Sequence, residues 1–252
     1  MTPLLQVEGV RKSYGGLLAV ADATFAIERG TITGLIGPNG AGKTTLFAII
    51  AGFVKPSAGR VLFEGADVTA EPPHRRARRG IVRTFQIVQP FAGLSVRENI
   101  AVGAHLRHAG RKQALDTATE IAGRVGLSTE LDKPASALTV AGRKRLELAR
   151  ALATRPTLLL LDEVLAGLNP SEVAAMLPVL RGLAQDGITV LMIEHVMQAV
   201  MQLCGHIHVL AQVGSTGGHI IAAGLPAAIC ADPAVIEAYF GVGAARRMAV
   251  HG

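Results

Sequence analysis

Residues 37–44, which read GPNGAGKT, limit how this chain can fold more than any other segment. They match the pattern G-x-x-x-x-G-K-[ST] and lie between an apolar run at residues 31–36 and a helical pattern that begins near Thr44. The glycines allow backbone N–H groups to turn inward around phosphate oxygens, and the N-terminus of the following helix adds a partial positive charge. The segment therefore predicts a strand, a phosphate-binding loop and a helix, in that order.

The side chains of this loop indicate how it would hold a nucleotide. Lys43 is expected to reach the β and γ phosphates, and the Thr44 hydroxyl is expected to bind Mg²⁺. The loop residues that we predict to contact the nucleotide are Gly37, Asn39, Gly40, Ala41, Gly42, Lys43, Thr44 and Thr45. A phosphate loop by itself leaves kinases, GTPases and many ATPases open.

Two further runs, residues 157–162 (TLLLLD) and 188–193 (ITVLMI), are short, almost continuously apolar and preceded by proline or glycine. Such runs are typical of strands that are buried on both faces of a parallel sheet. Helical patterns at residues 145–153 and 172–183 lie between the apolar runs, so strands and helices alternate. This alternation predicts a layered α/β core.

Other segments predict additions to this core. Residues 5–10 and 21–27 alternate between apolar and polar positions, as antiparallel strands with one covered face do. Residues 89–154 contain several helical patterns and no convincing strand, and residues 234–240 predict a short closing helix. The predicted fold class is α/β, with an N-terminal antiparallel β subdomain and an all-helical insertion.

Polar residues follow the second and third predicted core strands. Asp162 and Glu163 come at the end of one strand, and His195 follows the other. Because ligands of parallel sheets bind at the carboxyl edge, we expect Asp162 to help hold Mg²⁺ and Glu163 to polarise water for in-line attack on a γ-phosphate. His195 could hydrogen-bond the same phosphate. Taken singly, the two acids also fit a surface turn, and the histidine also fits a structural role. Because three strand ends are predicted to point at one phosphate, we favour a functional interpretation.

Composition excludes several classes of protein. Apolar residues make up 50% of the chain and charged residues only 17%, so the bulk of the chain is not disordered. Two cysteines without a zinc spacing fit a reducing compartment, and no secretion signal is apparent, so a cytoplasmic address is expected. Although the mean hydropathy is +0.39, the longest segment free of Asp, Glu, Lys and Arg is interrupted by polar residues, and no membrane span is predicted.

The net charge of +6 permits attraction to phosphates, nucleic acid or anionic lipids. The densest basic run, residues 74–79 (HRRARR), has no interleaved aromatic residue that could stack on bases. We therefore interpret this run as a solvated helix face and expect no nucleic-acid partner.

The motifs and their order resemble the nucleotide-binding subunits of ATP-binding cassette (ABC) transporters over essentially the whole chain. Tyr14 is similar to the aromatic residue that stacks on adenine, and residues 83–86 (RTFQ) are similar to the loop whose glutamine contacts Mg²⁺ and water. Residues 138–152 (LTVAGRKRLELARAL) match the signature motif and its helix, and residues 166–169 (AGLN) match the loop between the halves of an ATP-bound dimer. His195 matches the switch histidine. This combination excludes a P-loop kinase or GTPase.

The resemblance implies a P-loop (RecA-like) core, a Mg²⁺-dependent ATPase and roles for individual residues. The implied catalytic residues are Lys43, Gln86, Glu163 and His195. The implied metal-binding residues are Thr44, Gln86 and Asp162. Besides the loop residues, Tyr14 is implied to contact ATP, and Thr139 and Ala141 are implied to contact the ATP bound to the opposite subunit.

The resemblance also implies one ABC nucleotide-binding domain over residues 1–252. Its ATP-binding core would comprise residues 1–86 and 155–240. The helical subdomain that carries the signature motif would comprise residues 87–154, and residues 241–252 would form a C-terminal tail.

Within the family, the chain resembles most the ATPases of branched-chain amino acid importers. The resemblance rests on GLIGPNGAGKTTLF, RTFQ, LSVRENIAVGAH, DEVLAGLNP and the ending DPAVIEAYFG. It implies ATP hydrolysis that powers import, permease subunits as partners, a periplasmic or extracellular binding protein as an indirect partner, and a peripheral location at the cytoplasmic face of the membrane. ATPases for urea, for other polar solutes and for lipopolysaccharide export share many of these motifs, and a soluble iron–sulfur assembly ATPase stays open as an alternative.

The signature motif departs from the usual Leu-Ser-Gly-Gly-Gln and reads Leu138-Thr139-Val140-Ala141-Gly142. Thr139 keeps a hydroxyl and Ala141 keeps a backbone N–H, but Val140 and Ala141 add Cβ atoms where close approach to a phosphate favours glycine. Since this motif serves the partner's ATP in such dimers, we favour a heterodimer with a second ATPase. The alternative is a homodimer that tolerates the altered motif.

Two features near the end of the chain have no role in this interpretation. His206 and His208 alternate on a predicted strand and share a face, but a metal site would need a third ligand. Residues 212–218 (QVGSTGG) predict a widened hairpin loop.

Overall fold

The structure of the chain, a computed structural model, describes residues 2–85, 89–212 and 216–241. The chain divides into two compact units. The first comprises Met1–Pro73 and Leu191–Gly252, and the second comprises His74–Val190. Gln86, which is predicted to contact the metal and the attacking water, lies outside the described residues, as does most of the predicted C-terminal tail.

The described residues contain ten strands and nine α-helices. The strands are β1 (Leu5–Tyr14), β2 (Leu17–Ile27), β3 (Ile32–Ile36), β4 (Ala58–Phe63), β5 (Ala66–Asp67), β6 (Ile81–Arg83), β7 (Leu158–Asp162), β8 (Thr189–Ile193), β9 (His206–Gln212) and β10 (Gly218–Gly224). The helices are α1 (Lys43–Ile50), α2 (Pro73–Arg79), α3 (Val96–Ala104), α4 (Arg111–Arg124), α5 (Val140–Ala153), α6 (Pro170–Gln185), α7 (Met197–Leu203), α8 (Pro226–Ala231) and α9 (Pro233–Phe240). Two 3-10 turns, Ser128–Glu130 and Ala135–Ala137, lie between α4 and α5.

The described residues of the first unit contain seven complete strands in the order β5-β4-β1-β2-β10-β9-β3. Strand β1 pairs antiparallel with β2 and β4, which places Leu5 opposite Ile27 on one side and Phe63 on the other. Strand β3 runs parallel to β9, and all five residues of β3 are buried. The predicted N-terminal antiparallel strands and the predicted buried strand before the glycine-rich loop are confirmed.

Strands β9 and β10 pair antiparallel on either side of the predicted hairpin loop, of which residues 213–215 lie outside the described residues. The predicted closing helix is confirmed as α9, whose first turn is capped by Asp232. The Asp232 side chain accepts a hydrogen bond from the Ala234 N–H at 2.8 Å.

In the second unit, β6 and β7 run parallel, with Ile81 opposite Leu158, and all five residues of β7 are buried. Helices α3, α4 and α5 pack against one another. Between residues 89 and 154, the described chain contains helices, turns and one isolated bridge between Ser95 and Pro134, but no strand. The predicted all-helical insertion is therefore confirmed.

A buried asparagine stabilises the entrance to this insertion. The Asn99 side-chain amide donates to the carbonyl oxygens of Leu94 at 3.2 Å and Ser95 at 2.9 Å, and its oxygen accepts the Phe91 N–H at 2.9 Å. Ser95 and Glu98 form a capping box at the N-terminus of α3. These bonds satisfy the polar groups of the buried Asn99 side chain and tie the irregular segment before α3 to the helix.

Helix α5 begins at Val140, earlier than the pattern at residues 145–153 predicts. Thr139 has an extended backbone, and its hydroxyl accepts the Gly142 N–H at 3.1 Å, which caps the helix. The apolar periodicity missed this first turn because residues 142–145 (GRKR) contain no apolar side chain.

The basic run at residues 74–79 forms α2, but it is only partly the solvated face that its charge predicts. Arg75, Arg78 and Arg79 are exposed, whereas Arg76 is fully buried. The prediction is therefore wrong for Arg76. A packed helix must turn one face inward, and a run of like charges does not indicate which residue lies on that face.

Within residues 2–85, 89–212 and 216–241, every helix is too short or too polar to span a bilayer.

Both cysteines are free thiols, as their small number predicts, with Cys204 buried and Cys230 exposed. Burial, together with the nearby Glu194 carboxylate, raises the pKa of the Cys204 thiol to about 12, so this group stays protonated at neutral pH.

Substitutions of two helical glycines in the second unit can show how closely its helices pack. A Cβ at Gly103 in α3 would lie 2.3 Å from the carbonyl oxygen of Arg150 in α5, whereas a Cβ at Gly182 in α6 would meet no atom within 4 Å. We expect Gly103→Ala to destabilise the protein by about 1–3 kcal/mol, because α3 must move away from α5. The matched control Gly182→Ala should stabilise it by about 0.5–1 kcal/mol, because alanine favours the helix. Urea unfolding measures both changes, and effects of the same sign would contradict the close approach.

Candidate functional site

The predicted phosphate loop joins the end of β3 to the start of α1 within the first unit, and neighbouring backbone fixes its path. Gly37 has φ +151° and Gly42 has φ +98°. A Cβ at Gly37 would lie 1.8 Å from the Leu210 carbonyl oxygen, and a Cβ at Gly42 would lie 2.4 Å from the Ala19 carbonyl oxygen. Only glycine fits these two positions, so the spacing of glycines in the sequence reports a real steric requirement.

The side chain of Lys43 lies over this loop. It is only 7% exposed, and its Nζ donates to the carbonyl oxygens of Gly37 at 2.7 Å and Pro38 at 2.9 Å. Thr44, the next residue of α1, is exposed, and Thr45 is half-buried. The loop therefore combines one positive charge, the N-terminus of a helix and an accessible hydroxyl, which together favour a phosphate ligand.

The other predicted nucleotide contacts of the first unit are accessible, with one exception. Asn39 and Gly40 are exposed, whereas Ala41 is buried. Tyr14, at the end of β1, is 47% exposed, and the Lys12 ammonium lies 4.9 Å from its ring centroid. An exposed aromatic face beside a positive charge is suited to stacking a base.

Sequence reasoning missed two side chains that hold the loop from outside. The Gln212 side-chain amide donates to the carbonyl oxygen of Gly40 at 3.2 Å. The Tyr239 hydroxyl in α9 accepts a hydrogen bond from the backbone of Gly37, and burial raises the pKa of this phenol. Both residues are far from the loop in sequence, and Tyr239 lies within the motif DPAVIEAYFG without any local sign of this contact.

In the second unit, the acidic pair stands at the end of β7 as predicted. Asp162 is the last strand residue, and its side chain is 3% exposed. Glu163 follows with φ +51°, a left-handed conformation that costs a non-glycine residue about 1 kcal/mol or more. Residues held in such conformations concentrate at functional sites, so this geometry supports a functional role for Glu163.

Three charged residues that sequence reasoning left without a role are tied to this acidic pair or its surroundings. Arg83 Nη2 donates to Asp162 Oδ2 at 2.6 Å. The buried Lys144 in α5 donates from Nζ to the main-chain carbonyl oxygen of Glu163 at 2.9 Å. The buried Glu147 in α5 accepts the N–H of Phe85, the residue before Gln86. Helix α5 therefore contacts both the turn that contains Glu163 and the end of the segment that leads to Gln86.

The altered signature residues lie at the start of α5. Thr139 uses its hydroxyl oxygen to cap the helix, and Ala141 is half-buried. Val140 is 54% exposed, and its Cγ1 lies 4.0 Å from where a Cβ would stand at Gly167. The valine therefore presents an apolar branched side chain to solvent at a position where the family pattern has glycine.

The histidines of the first unit differ in their surroundings. His195 follows β8 and is exposed. His206 and His208 share a face of β9, with ring centroids 4.9 Å apart. Burial and the neighbouring His206 lower the pKa of His208 to about 4, so its ring is neutral at physiological pH. No cluster of three or more potential metal-binding His, Cys, Asp or Glu residues occurs in the described part of the chain, so this pair lacks a third such ligand there.

Two known protein families match separate parts of the chain. Residues 20–166 match the family described as ABC transporter, and residues 219–245 match the family described as branched-chain amino acid ATP-binding cassette transporter. The chain is 38% identical to the high-affinity branched-chain amino acid transport ATP-binding protein BraF of Pseudomonas aeruginosa, over 95% of this chain and 98% of BraF. It is also 38% identical to LivG of Escherichia coli K12, a protein with the same description, over 95% and 98% of the two chains.

Solved structures agree with this assignment. A nucleotide-free ATP-binding cassette from an ABC transporter superposes with a TM-score of 0.84 at 31% identity, covering 95% of this chain and 100% of that one. The ADP conformation of the cassette MJ1267 gives a TM-score of 0.84 at 31% identity, covering 96% and 100%. The predicted P-loop α/β fold is confirmed.

The buried Glu147 carboxyl provides a test of the contact between α5 and Phe85. Burial raises its pKa above the ordinary value of 4.5, although the Phe85 N–H, Lys144 and Arg150 oppose the shift. Because the folded state then binds the proton more tightly than the unfolded state, stability is greatest below the unfolded pKa and is lost as pH rises through the folded pKa.

We therefore expect the Tm of the wild type to fall relative to that of Glu147→Gln as pH rises from about 4 to about 8. The glutamine keeps an oxygen that can accept the Phe85 N–H but does not titrate. Differential scanning calorimetry at several pH values measures the difference, and the exposed Glu120→Gln serves as the matched control. A difference that does not change with pH would contradict the effect of burial.

Proposed function

The chain belongs to the ATP-binding subunits of ABC transporters, and on that premise we propose that it powers the uptake of branched-chain amino acids. It is the ATP-hydrolysing subunit of an importer. The solute is inferred from the C-terminal family match at residues 219–245 and from the descriptions of BraF and LivG. The phosphate loop with Lys43 folded over it is the observation that carries the ATPase assignment in the structure.

We propose that the reaction proceeds by in-line attack of water on the γ-phosphorus of ATP. The bond from phosphorus to the water oxygen forms as the bond to the β–γ bridging oxygen breaks, giving ADP and phosphate. Glu163 orients the water and accepts its proton, and His195 hydrogen-bonds the γ-phosphate. The hydrogen bond from Lys144 to the Glu163 carbonyl supports this role, because it holds the main chain of the strained residue in place.

Binding of the nucleotide is assigned to the loop and to exposed residues around it. The Lys43 side chain and the backbone N–H groups of residues 37 and 39–45 bind the phosphates, and Tyr14 stacks on the adenine ring. Thr139 and Ala141 contact the nucleotide of the opposite subunit. The proposed arrangement keeps the domain organisation suggested by the family pattern, with an ATP-binding core, a helical subdomain at residues 87–154 and a C-terminal tail.

We assign Mg²⁺ to Thr44, Gln86 and Asp162, with phosphate oxygens and water as the remaining ligands. Hydroxyl, amide and carboxylate oxygens are the hard ligands that Mg²⁺ prefers, and this ion usually keeps several waters instead of entering an all-protein cage. The donor set fits that preference, since a hydroxyl, an amide and a carboxylate supply oxygen atoms and leave the other coordination positions to water and phosphate. Bound Mg²⁺ supplies positive charge that stabilises the charge developing on the phosphate oxygens.

We further propose that the chain works at the cytoplasmic face of the membrane, bound to permease subunits, with a binding protein outside the membrane as an indirect partner. Its partner ATPase is a second, different chain. The exposed Val140 and the half-buried Ala141 support this proposal, because both add Cβ atoms at the motif that must approach the partner's ATP. No nucleic-acid partner is proposed.

Glu163→Gln tests the reaction mechanism. Glutamine can hold a water molecule but cannot accept its proton, so we expect phosphate release to fall by about 100-fold or more while ATP stays bound. Release is measured with a coupled phosphate assay, and retained nucleotide is measured by chromatography of the denatured protein. The exposed Glu28→Gln is the matched control and should hydrolyse ATP at the wild-type rate. Steady phosphate release by the Glu163 variant would refute the role of Glu163.

The same hydrolysis-deficient variant tests the identity of the partner. With ATP, we expect the isolated Glu163→Gln chain to stay monomeric and to dimerise only with the second ATPase of its transporter. Restoring the usual motif with Thr139→Ser, Val140→Gly and Ala141→Gly in that background should allow homodimers, because the added Cβ atoms are gone. Light scattering after size-exclusion chromatography gives the masses. ATP-dependent homodimers without the restored motif would contradict the heterodimer.

A further inference from the structure

The contact between Arg83 and Asp162 is a buried ion pair within the second unit. Nη2 of Arg83 lies 2.6 Å from Oδ2 of Asp162, and the two side chains are only 9% and 3% exposed. The neighbouring residue holds the main chain of the same aspartate, since the Asp162 N–H donates to the Thr84 hydroxyl at 3.1 Å. Arg83, the last residue of β6, therefore holds the side chain of Asp162, and Thr84, which follows the strand, holds its backbone.

Burial makes this pair different from the surface ion pairs of the same unit. In the pair formed by Arg97 and Asp132 at 3.0 Å, the aspartate side chain is 86% exposed, so water screens both charges. Little water reaches the pair formed by Arg83 and Asp162, and the interaction of its charges with each other and with a further ion is correspondingly stronger. Arg83 therefore places a positive charge directly beside the Asp162 carboxylate.

Arg83 does not bind the Asp162 carboxylate in the strongest arrangement that a guanidinium can form. A guanidinium can bind a carboxylate through two parallel N–H groups. Here Nη2 contacts Oδ2, whereas Nε is buried and has no hydrogen-bond partner among residues 2–85, 89–212 and 216–241. The guanidinium carbon lies 5.7 Å from the ring centroid of Phe85. The head group thus combines a short contact to the carboxylate with a buried donor that is not satisfied.

We propose that Arg83 is a positioning residue that competes with Mg²⁺ for the Asp162 carboxylate and thereby sets the metal concentration that the site requires. The inference rests on the proposed function, which assigns Asp162 to the metal. A divalent cation at Asp162 must share the carboxylate with Arg83, and the positive charge of Arg83 repels the cation in a poorly solvated place. When no metal is bound, Arg83 offsets a buried negative charge that would otherwise destabilise the fold.

Substitution of Arg83 separates these two effects, because it should change metal binding and stability in opposite directions. Mn²⁺ is titrated into the full-length protein without nucleotide, and free Mn²⁺ is read by electron paramagnetic resonance. We expect Arg83→Gln to lower the half-saturating Mn²⁺ concentration by about tenfold, because a neutral side chain no longer repels the ion. Thermal unfolding in EDTA should show a lower Tm for this variant than for the wild type, and added Mn²⁺ should raise that Tm more than it raises the Tm of the wild type.

Control variants distinguish charge from a general effect of mutation. Arg83→Lys keeps the positive charge and should bind Mn²⁺ within about twofold of the wild type. Arg97→Gln removes the half-buried arginine of the ion pair with the exposed Asp132 and should leave Mn²⁺ binding unchanged. Arg83→Met, which is neutral and of similar length, takes the place of the glutamine variant if that variant does not fold. Unchanged or weaker Mn²⁺ binding in the neutral Arg83 variants would overturn the competition.

Asp162→Asn shows whether a failure belongs to this inference or to the proposed function. If Mn·ADP binds the asparagine variant as well as it binds the wild type, Asp162 is not a metal ligand. The proposed metal assignment and the competition by Arg83 then both fail. If the asparagine variant loses Mn·ADP binding while the neutral Arg83 variants bind Mn²⁺ no more tightly than the wild type, the metal assignment stands. In that case only the competition by Arg83 is refuted.

Discussion

The close approach of backbone to backbone around the phosphate loop is the constraint on which the first unit depends. Gly37 and Gly42 leave no room for a Cβ against the carbonyl oxygens of Leu210 and Ala19. The loop is therefore held by β9 and β2 and does not depend on its own residues alone for its shape. A loop fixed in this way can keep its N–H groups directed at a ligand without ordering them at each binding event, which favours tight phosphate binding.

Helix α5 has the corresponding position in the second unit. Its N-terminal turn carries the altered signature residues, Lys144 holds the carbonyl group of Glu163, and Glu147 accepts the N–H of Phe85. A displacement of this helix would change the turn that contains the proposed base and the backbone before Gln86 together. The helix thus provides a physical route by which a change at the signature motif can reach the residues proposed to act on water.

Several polar groups of the candidate site are buried at an energetic cost, and each has a partner that offsets it. Asp162 is paired with Arg83, Lys144 with a carbonyl oxygen, and Glu147 with a backbone N–H. Such pairing is the condition under which charged groups can be buried. Because little water screens these groups, their electrostatic interactions with neighbouring groups are stronger than at the protein surface. Groups held in fixed positions in such a poorly solvated site can stabilise charge that develops during phosphoryl transfer.

Local patterns in the sequence were sufficient to predict the strand, loop and helix around residues 37–44, the buried strands β3 and β7, and the position of Asp162 and Glu163 at a strand end. Glycine spacing and apolar periodicity are properties of short segments, so they can be read without knowledge of the fold. The contact of Arg83 with Asp162 spans 79 positions of the sequence, and that of Lys144 with Glu163 spans 19 positions. No short pattern in the sequence predicts either contact. They exist because β6 pairs with β7 and because α5 brings a lysine to the turn after β7, which is a matter of packing in three dimensions.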